Sequence, residues 1–147
     1  MTIEEKIKRF CIYQERSVAE VRTKLLSLCV NKDETEKYIS QLLESNYVDD
    51  KRFTLQFIQG KMNTKGWGKY KIKMHLLQKG INETLIQESL AEINSENFQA
   101  NSNRIIEKWK ECNSLNKNTF PRFYRYLLSK GYTYNEVSKA LQSIDPC

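Results

Sequence analysis

Hydrophobic residues recur along this chain at the three- and four-residue spacings of amphipathic helices, and no segment shows sustained two-residue alternation. Val21, Leu25 and Leu28 follow the helical period in one segment, and Ile72 with Leu76 follows it in another. Residues at these spacings share one face of a helix, whereas a half-buried strand buries every second residue. The pattern therefore predicts an all-α protein with about nine helices.

The same hydrophobic pattern returns when the sequence is shifted by 51 residues. Equivalent apolar positions fill three copies of one unit: Ile7, Ile58 and Trp109; Val21, Ile72 and Phe123; Leu25, Leu76 and Leu127; Val30, Ile81 and Tyr132. We therefore predict three tandem three-helix repeats, over residues 1–48, 49–94 and 95–147. Because each repeat would contact mainly its neighbours, the predicted array is elongated and arched.

Local sequence marks both ends of several predicted helices. Three pairs of residues have the spacing of a capping box at a helix N-terminus: Thr2 with Glu5, Ser17 with Glu20, and Thr133 with Glu136. Gly80 and Gly131 follow the middle helix of their repeats, where a left-handed residue is common and glycine adopts it without a Cβ clash. The first repeat has Cys29 at the equivalent position.

Length and composition bound the classes of protein to consider. The chain has 147 residues, which is about one ordinary domain, and 39% of them are hydrophobic. Its longest apolar run is Phe10–Tyr13, whereas a membrane-spanning helix needs roughly 20 residues. The first residues lack the basic and apolar stretches of a secretory signal. We therefore expect a cytoplasmic protein without a membrane partner.

Metal and cofactor chemistry has little support in the composition. The four cysteines have the spacing of neither a zinc site nor a disulfide framework; they are Cys11, Cys29, Cys112 and Cys147. His75 is the only histidine, which leaves little basis for a catalytic triad or a histidine-rich metal site. We expect free thiols, no metal and no cofactor.

The net charge of +6 is unevenly distributed along the chain. Residues 49–81 hold eight basic and two acidic groups, and residues 104–147 hold eight basic and four acidic groups. Residues 1–48 are balanced, whereas residues 82–103 hold four acidic groups and no basic one. Positive charge is thus concentrated in the middle and the C-terminal third, which indicates a polyanionic partner.

The most basic segment, residues 61–73, contains the first set of candidate binding residues. These are Lys65, Trp67, Lys69, Lys71 and Lys73. Gly66 and Gly68 flank the tryptophan just before a predicted helix, whose N-terminal N–H groups would attract phosphate. Lysines would reinforce that attraction, and the indole could stack on a base. The alternative is structural: Trp67 fills a junction between helices and the lysines form a solvated face.

A second candidate set lies in the third repeat, where Arg122 and Arg125 adjoin Tyr126. Guanidinium groups beside an aromatic ring suit a nucleic-acid backbone or an acidic protein groove, although a solvated helix face is the alternative. In the first set, Lys69 is notable because its equivalents in the repeat are Val18 and Phe120. One copy has therefore exchanged an apolar residue for a cation, which is a hint of function.

The adjacent acids Asp49 and Asp50 invite a catalytic interpretation, but their position favours a helix cap followed by a core residue, Phe53. A hydrolase with two carboxylates would need further polar groups around a pocket, and the sequence indicates none. The Gly-x-x-x-x-Gly-Lys loop of nucleotide hydrolases is also absent from the sequence. We therefore expect no enzymatic activity.

The run from Leu42 to Ile81 resembles the signature of the RecX family, the regulators of the RecA recombinase. Its matching residues are Tyr47, Asp49, Asp50, Arg52, Phe53, Gly66, Gly68, Ile72, Leu76, Lys79, Gly80 and Ile81. Upstream, the residues that fit are Arg16, Ser17, Glu20, Lys24 and Leu25. The resemblance covers essentially the whole chain, because the family is also built of tandem three-helix units. The chain departs from it at Asn46 and Thr54, where Gly and Ala are usual.

The resemblance implies a non-enzymatic modulator. Members of this family bind RecA filaments on single-stranded DNA and suppress ATP hydrolysis and strand exchange, which affects recombinational DNA repair. The implied partners are the RecA filament and single-stranded DNA, with duplex DNA as a further one. We expect a monomer that meets these partners through the two candidate sets.

Two other hypotheses stay open. A free-standing helical DNA-binding protein, such as a transcriptional or architectural factor, would bind duplex DNA tightly and sequence-dependently without any recombinase. No recognition helix or dimer seam stands out in support of it. An enzyme would instead show turnover that is lost when Asp49 and Asp50 are replaced.

Overall fold

The computed structural model of the chain describes residues 1–93, 95–112 and 120–142. Every regular secondary-structure element in these ranges is an α-helix, which confirms the all-α prediction. In chain order they are α1 (Ile3–Tyr13), α2 (Val18–Ser27), α3 (Lys32–Glu44), α4 (Asp50–Lys65), α5 (Lys69–Gln78), α6 (Glu83–Glu92), α7 (Ser95–Cys112), α8 (Phe120–Ser129) and α9 (Tyr134–Gln142). Of the four cysteines, Cys147 lies outside the described residues.

Contacts divide the chain into two compact units. The first consists of Met1–Phe57 with Leu76–Ser89, and the second of Ile58–His75 with Leu90–Cys147. Their boundaries fall inside α4, α5 and α6, so no helix boundary coincides with them. The predicted repeat boundaries, after residues 48 and 94, fall between helices instead. The three repeat ranges themselves stay a prediction.

The first unit buries the apolar faces of α1, α2 and α3 against one another. Its core residues are Ile7, Cys11, Val21, Leu25, Val30, Ile39, Leu42 and Val48. Ile7, Val21 and Leu25 have no exposed surface, so each contributes about 1.5–3 kcal/mol of burial energy. This cluster contains Ile7, Val21, Leu25 and Val30, the apolar residues of the first repeat that recur after 51 residues.

The second unit has a core that includes residues of α7, α8 and α9. It consists of Ile106, Phe123, Leu127, Tyr132 and Val137, with Ile105, Trp109 and Tyr124 packed around it. The ring of Phe123 is fully buried and lies 5.3 Å, centroid to centroid, from the indole of Trp109. Aromatic side chains therefore supply much of the buried area in this part of the chain.

The middle helix of each predicted repeat, α2, α5 and α8, shows equivalent burial at equivalent positions. Leu25, Leu76 and Leu127 are at most 1% exposed. The leucine that follows each of them points to the other side of its helix; the exposed fractions are 46% for Leu26, 36% for Leu77 and 44% for Leu128. The shift of 51 residues therefore relates positions with the same environment, as the hydrophobic pattern predicts.

Two of the three predicted capping boxes form, at the starts of α1 and α9, whereas Ser17 at the start of α2 is an N-cap without the reciprocal backbone bond. Thr2 accepts the Glu5 N–H at 3.2 Å, and the Glu5 carboxylate accepts the Thr2 N–H at the same distance. Thr133 and Glu136 form the same reciprocal pair at 3.3 Å. Ser17 accepts the Glu20 N–H at 3.1 Å and donates its hydroxyl to the Glu20 carboxylate. Local sequence thus fixes where these helices begin.

Gly80 and Gly131 adopt the predicted left-handed backbone, with φ of 83° and 97°. Cys29, at the equivalent position of the first repeat, has the same conformation with φ of 64°. Asn46, just after α3, also lies in this region with φ of 60°. A cysteine has a Cβ atom that makes this conformation costly, whereas asparagine visits it more readily.

We expect Cys29→Gly to stabilise the protein by about 0.5–1 kcal/mol, because glycine removes the left-handed strain and the exposed thiol makes no core contact. Urea unfolding followed by circular dichroism would measure the change. Asn46→Gly is the matched control, with a smaller expected effect. A loss of stability at Cys29, or an equal gain at both positions, would contradict this account.

Candidate polyanion-binding site

The two acids at the start of α4 are both engaged by backbone donors. Asp49 accepts the N–H groups of Lys51 at 2.9 Å and Arg52 at 3.2 Å, so it caps α4. Asp50 Oδ1 accepts the N–H of Val18, the first residue of α2, at 2.8 Å. One carboxylate therefore caps its own helix and the other caps a helix that lies 32 residues earlier in the chain. These contacts give both acids a structural role.

Arg52 and Phe53 continue this structural motif. The Arg52 guanidinium donates to Glu15 Oε1 at 2.8 Å and to the Asn46 carbonyl oxygen at 3.0 Å. It thereby fixes the left-handed turn that precedes α4. Phe53 is 7% exposed and stacks on Phe57 with ring centroids 6.0 Å apart. In the described part of the chain, no group of three or more His, Cys, Asp or Glu side chains could hold a metal ion.

Gly68 and Gly131 join the start of α5 to the end of α8 through backbone contacts. The Gly68 N–H donates to the Lys130 carbonyl oxygen at 2.7 Å, and the Tyr70 N–H donates to the Gly131 carbonyl oxygen at 3.2 Å. A Cβ atom on Gly68 would lie 2.5 Å from the Gly131 oxygen, and one on Gly131 would collide with Lys71. Only two glycines permit this approach.

The first unit contains a related junction between the end of α5 and the start of α2. Gly80 ends α5 in the same left-handed turn, and a Cβ atom there would lie 3.1 Å from Ala19 Cβ. Here the N-terminal N–H groups of α2 are bound by the side chains of Ser17 and Asp50 rather than by backbone carbonyls. The same helix-end arrangement thus occurs once in each unit, with different hydrogen-bond partners.

The N-terminus of α5 differs from the phosphate site that the sequence suggests. The Gly68 and Tyr70 N–H groups already bind the carbonyl oxygens of Lys130 and Gly131 in the turn after α8, so neither is available to an anion. The Gly66–Trp67–Gly68 turn is held rather than free, because the Trp67 N–H donates to the Lys61 carbonyl oxygen at 3.3 Å. These two N–H groups therefore do not form the phosphate site that the sequence suggests.

Gly66 and Trp67 pack inside the second unit. Gly66 has φ of 65°, and its carbonyl oxygen accepts the Tyr132 hydroxyl at 2.9 Å. Burial raises the pKa of Tyr132 to about 12, so this hydroxyl remains a donor at physiological pH. Trp67 is half-buried, and its indole lies 4.5 Å from the His75 ring. The indole occupies a helix junction, where only part of its surface can meet a ligand.

The ammonium group of Lys71 contacts both an aromatic ring and a backbone carbonyl of the second unit. Its Nζ lies 4.5 Å from the Trp67 ring centroid and donates to the Ser129 carbonyl oxygen at 3.2 Å. Lys61 Nζ lies 5.1 Å from the same ring. Cation–π contacts of this kind contribute about 0.5–1 kcal/mol at exposed sites, so the ammonium group of Lys71 has a structural use as well as a charge.

The other lysines of the first set differ in exposure. Lys69 is half-buried, and its Nζ lies 5.2 Å from the Phe98 ring centroid. Lys73 is also half-buried. Lys65 is exposed at the end of α4, and its carbonyl oxygen accepts the Lys130 ammonium at 3.4 Å. The structure thus brings Lys65, Trp67 and Lys71 close to the end of α8.

Arg122 and Arg125 are exposed on α8. Arg122 lies seven residues before Ser129, which is about 10 Å along the helix. The two arginines therefore lie on the same helix as the Ser129 carbonyl oxygen that binds Lys71, but nearer its start. The contacts described above leave the two candidate sets as neighbouring patches within the second unit.

Sequence analysis missed four residues that lie beside Lys65 in a groove of the second unit. These are Arg104, Lys108, Trp109 and Lys130. Arg104 and Lys108 are four residues apart and share a face of α7. Two features of the sequence pointed to these cations: the excess of basic residues over 104–147, and the four-residue spacing that places Arg104 and Lys108 on one helix face.

The described helices include none that is long and apolar enough to cross a membrane. This finding agrees with the short apolar runs in the sequence.

Comparison with known proteins places the chain in a family. Residues 49–90 match the family model described as RecX, second three-helix domain. Regulatory protein RecX of Lactococcus lactis subsp. cremoris (strain SK11) is 33% identical over 138 residues, which cover 90% of this chain and 51% of that protein. Regulatory protein RecX of Clostridium botulinum (strain Eklund 17B / Type B) is 34% identical over 129 residues, which cover 84% and 59%. The chain belongs to the RecX family.

A solved structure shows the same fold. RecX from Lactobacillus salivarius superposes with a TM-score of 0.86 at 24% identity, over 95% of this chain and 92% of that one. The helical repeat fold is therefore that of RecX proteins. The chain spans about half to three-fifths of the length of the curated RecX relatives described above. The matched residues 49–90 include the structural motif Asp49, Asp50, Arg52 and Phe53.

We expect Gly68→Ala to destabilise the protein by about 2–3 kcal/mol, because its Cβ would overlap backbone atoms of Gly131 and Tyr132. Gly60→Ala is the matched control. Gly60 lies inside α4 with nothing within 4 Å of an added Cβ, so alanine there should stabilise by about 0.5–1 kcal/mol. Thermal or urea unfolding measures both. Equal effects at the two glycines would show that the close backbone approach is not needed.

Proposed function

We propose that this protein regulates RecA by binding the filament that RecA forms on single-stranded DNA, and that it inhibits ATP hydrolysis and strand exchange. The observation that carries the proposal is membership of the RecX family. The relatives bear the name regulatory protein RecX, and modulation of recombination is the role that the family resemblance implies. The described part of the chain offers no cluster of acids and histidines for a metal-dependent reaction, and Asp49 and Asp50 cap helices. A binding function agrees with this.

The cations of the second unit support a polyanionic partner. Lys65, Arg122 and Arg125 are exposed, so their charges can reach DNA phosphate or an acidic filament surface. Lys69 and Lys71 contribute less to such an interface, because both ammonium groups lie over aromatic rings of the protein. Several weak charge contacts of this kind, presented to a repeating filament, would add up through avidity.

We expect the protein to lower ATP hydrolysis by its cognate recombinase on single-stranded DNA at concentrations below those that saturate the bare DNA. The measurement is a titration of hydrolysis at two salt concentrations, with binding to free DNA recorded in parallel. If hydrolysis falls only once bare DNA is saturated, the protein competes for DNA, and the free-standing DNA-binding hypothesis is correct instead. An absence of effect at saturating protein would refute both.

The double variant Arg122→Ala, Arg125→Ala should reduce the salt dependence of single-stranded DNA binding by about 1.4 units in log K against log [salt], since each lost phosphate contact removes about 0.7. Lys32→Ala with Lys37→Ala is the control, because it removes the same charge from exposed positions of α3 in the first unit. Equal slopes for the two double variants would exclude Arg122 and Arg125 as phosphate contacts.

A further inference from the structure

The second unit contains an open groove of about 640 Å³ between the end of α4, the middle of α7 and the second half of α8. Its lining residues are Met62, Asn63, Thr64, Lys65, Gly66, Asn101, Arg104, Ile105, Lys108, Trp109, Tyr126 and Lys130. Of these, only Lys65 belongs to the two candidate sets. A groove of this volume is large enough for a nucleotide-sized ligand.

The charge of the groove has one sign. Lys65, Arg104, Lys108 and Lys130 line it, and none of the described residues around it is a carboxylate. Glu107 and Glu111 also belong to α7 and are exposed, but they do not line the groove. A concave surface with four cations attracts anions more strongly than a flat surface with the same charge, because the low-dielectric walls focus the field.

One wall of the groove is aromatic. The indole of Trp109 contacts the buried ring of Phe123 and the ring of Tyr126, with ring centroids 5.3 Å and 5.5 Å apart. Tyr126 is the outermost ring of this series, with 39% of its surface exposed. Lys130 Nζ lies 5.8 Å from its centroid. The three rings form a contiguous group of tilted aromatic contacts that includes the buried Phe123 and the exposed Tyr126.

The floor of the groove is fixed by polar contacts. The side-chain amide of Asn101 is buried and donates to the Met62 carbonyl oxygen at 3.0 Å, which links α7 to α4. Lys130 Nζ donates to the Lys65 carbonyl oxygen, which links the residue after α8 to the end of α4. The cations and the aromatic wall are therefore presented by a pre-formed frame, so little ordering is required when a ligand binds.

We propose that this groove binds a single strand of nucleic acid, with phosphates at the four cations and an unpaired base against Tyr126 and Trp109. The combination of charge and rings decides the class of ligand. Lysine and arginine bind any phosphate backbone, but a base in a duplex is paired and stacked on both faces, so it cannot stack on the exposed ring. An acidic peptide would satisfy the cations and leave the aromatic wall without a partner.

The inference deepens the proposed function by assigning a place to the single strand. It rests on the proposed function only for the statement that the bound strand is the DNA of the filament. The binding of a single strand to the groove needs no recombinase. Its test therefore uses nucleic acid alone, so that failure of this inference can be told apart from failure of the filament proposal.

The chain has two tryptophans, Trp67 and Trp109, so Trp67→Phe leaves the groove indole as the sole tryptophan. We expect oligothymidylate to quench the fluorescence of Trp109 in this full-length variant at low salt. A duplex of the same length should bind through charge without comparable quenching. Equal quenching by duplex would overturn the proposal, and so would the absence of quenching at saturating single strand. Quenching by polyglutamate but not by oligothymidylate would show that the groove fits an acidic protein segment instead.

Variants separate the two parts of the groove. Lys108→Ala with Lys130→Ala should lower the salt slope for oligothymidylate by about 1.4 units, relative to the control Lys32→Ala with Lys37→Ala. Tyr126→Leu should weaken binding at least about fivefold, whereas Tyr126→Phe keeps the ring and should bind normally. Tyr13→Leu removes an exposed tyrosine from α1 and should have no effect. If both lysine and tyrosine variants bind like their controls, the groove is not the site, even where the whole protein still inhibits ATP hydrolysis.

If Tyr126→Leu fails to fold, which thermal unfolding would reveal, the lysine pair and the Trp109 fluorescence decide the question.

Discussion

The second unit depends on one backbone contact, the approach of Gly68 to Gly131. Two hydrogen bonds connect the N–H groups of Gly68 and Tyr70, at the start of α5, to the carbonyl oxygens of Lys130 and Gly131 in the turn that follows α8. The turn after α8 thus satisfies N–H groups that the N-terminus of α5 otherwise leaves unpaired. A side chain on either glycine would separate the helices. The contact also places the Lys71 ammonium at the Ser129 carbonyl and the Tyr132 hydroxyl at the Gly66 carbonyl.

The first unit reaches a related arrangement with different chemistry. Gly80 approaches Ala19 in the same left-handed turn, but Ser17 and Asp50 supply the oxygens that bind the N-terminus of α2. Asp50 can do so because Asp49 already caps α4. The adjacent acids that look catalytic in the sequence are thus two caps for two helices, and Arg52 secures the turn before them through Glu15 and Asn46.

Much of the fold could be predicted from the sequence, because its determinants are local or periodic. The repeat of 51 residues identified Leu25, Leu76 and Leu127 as equivalent buried positions, and glycine at 80 and 131 indicated left-handed turns. The candidate site could be predicted only in part. Sequence gives the charge of Lys71 but not the carbonyl and ring that bind it, since Ser129 lies 58 residues away. The groove likewise depends on contacts between α4, α7 and α8.

The number of basic residues in a segment therefore does not measure how many of their charged groups are open to a ligand. The segment 61–73 is the most basic of the chain, yet Lys61, Lys69 and Lys71 lie over the rings of Trp67 and Phe98. Part of their charge stabilises the fold, where a cation over a ring loses some of its freedom to follow a flexible polyanion. The less basic α7 instead presents the exposed Arg104 and Lys108 to an open groove with an aromatic wall, whereas Lys130, which also lines the groove, itself lies over the ring of Tyr126. We therefore expect a polyanion to bind at the groove, where exposed cations line a concave surface, rather than at the lysine-rich segment 61–73.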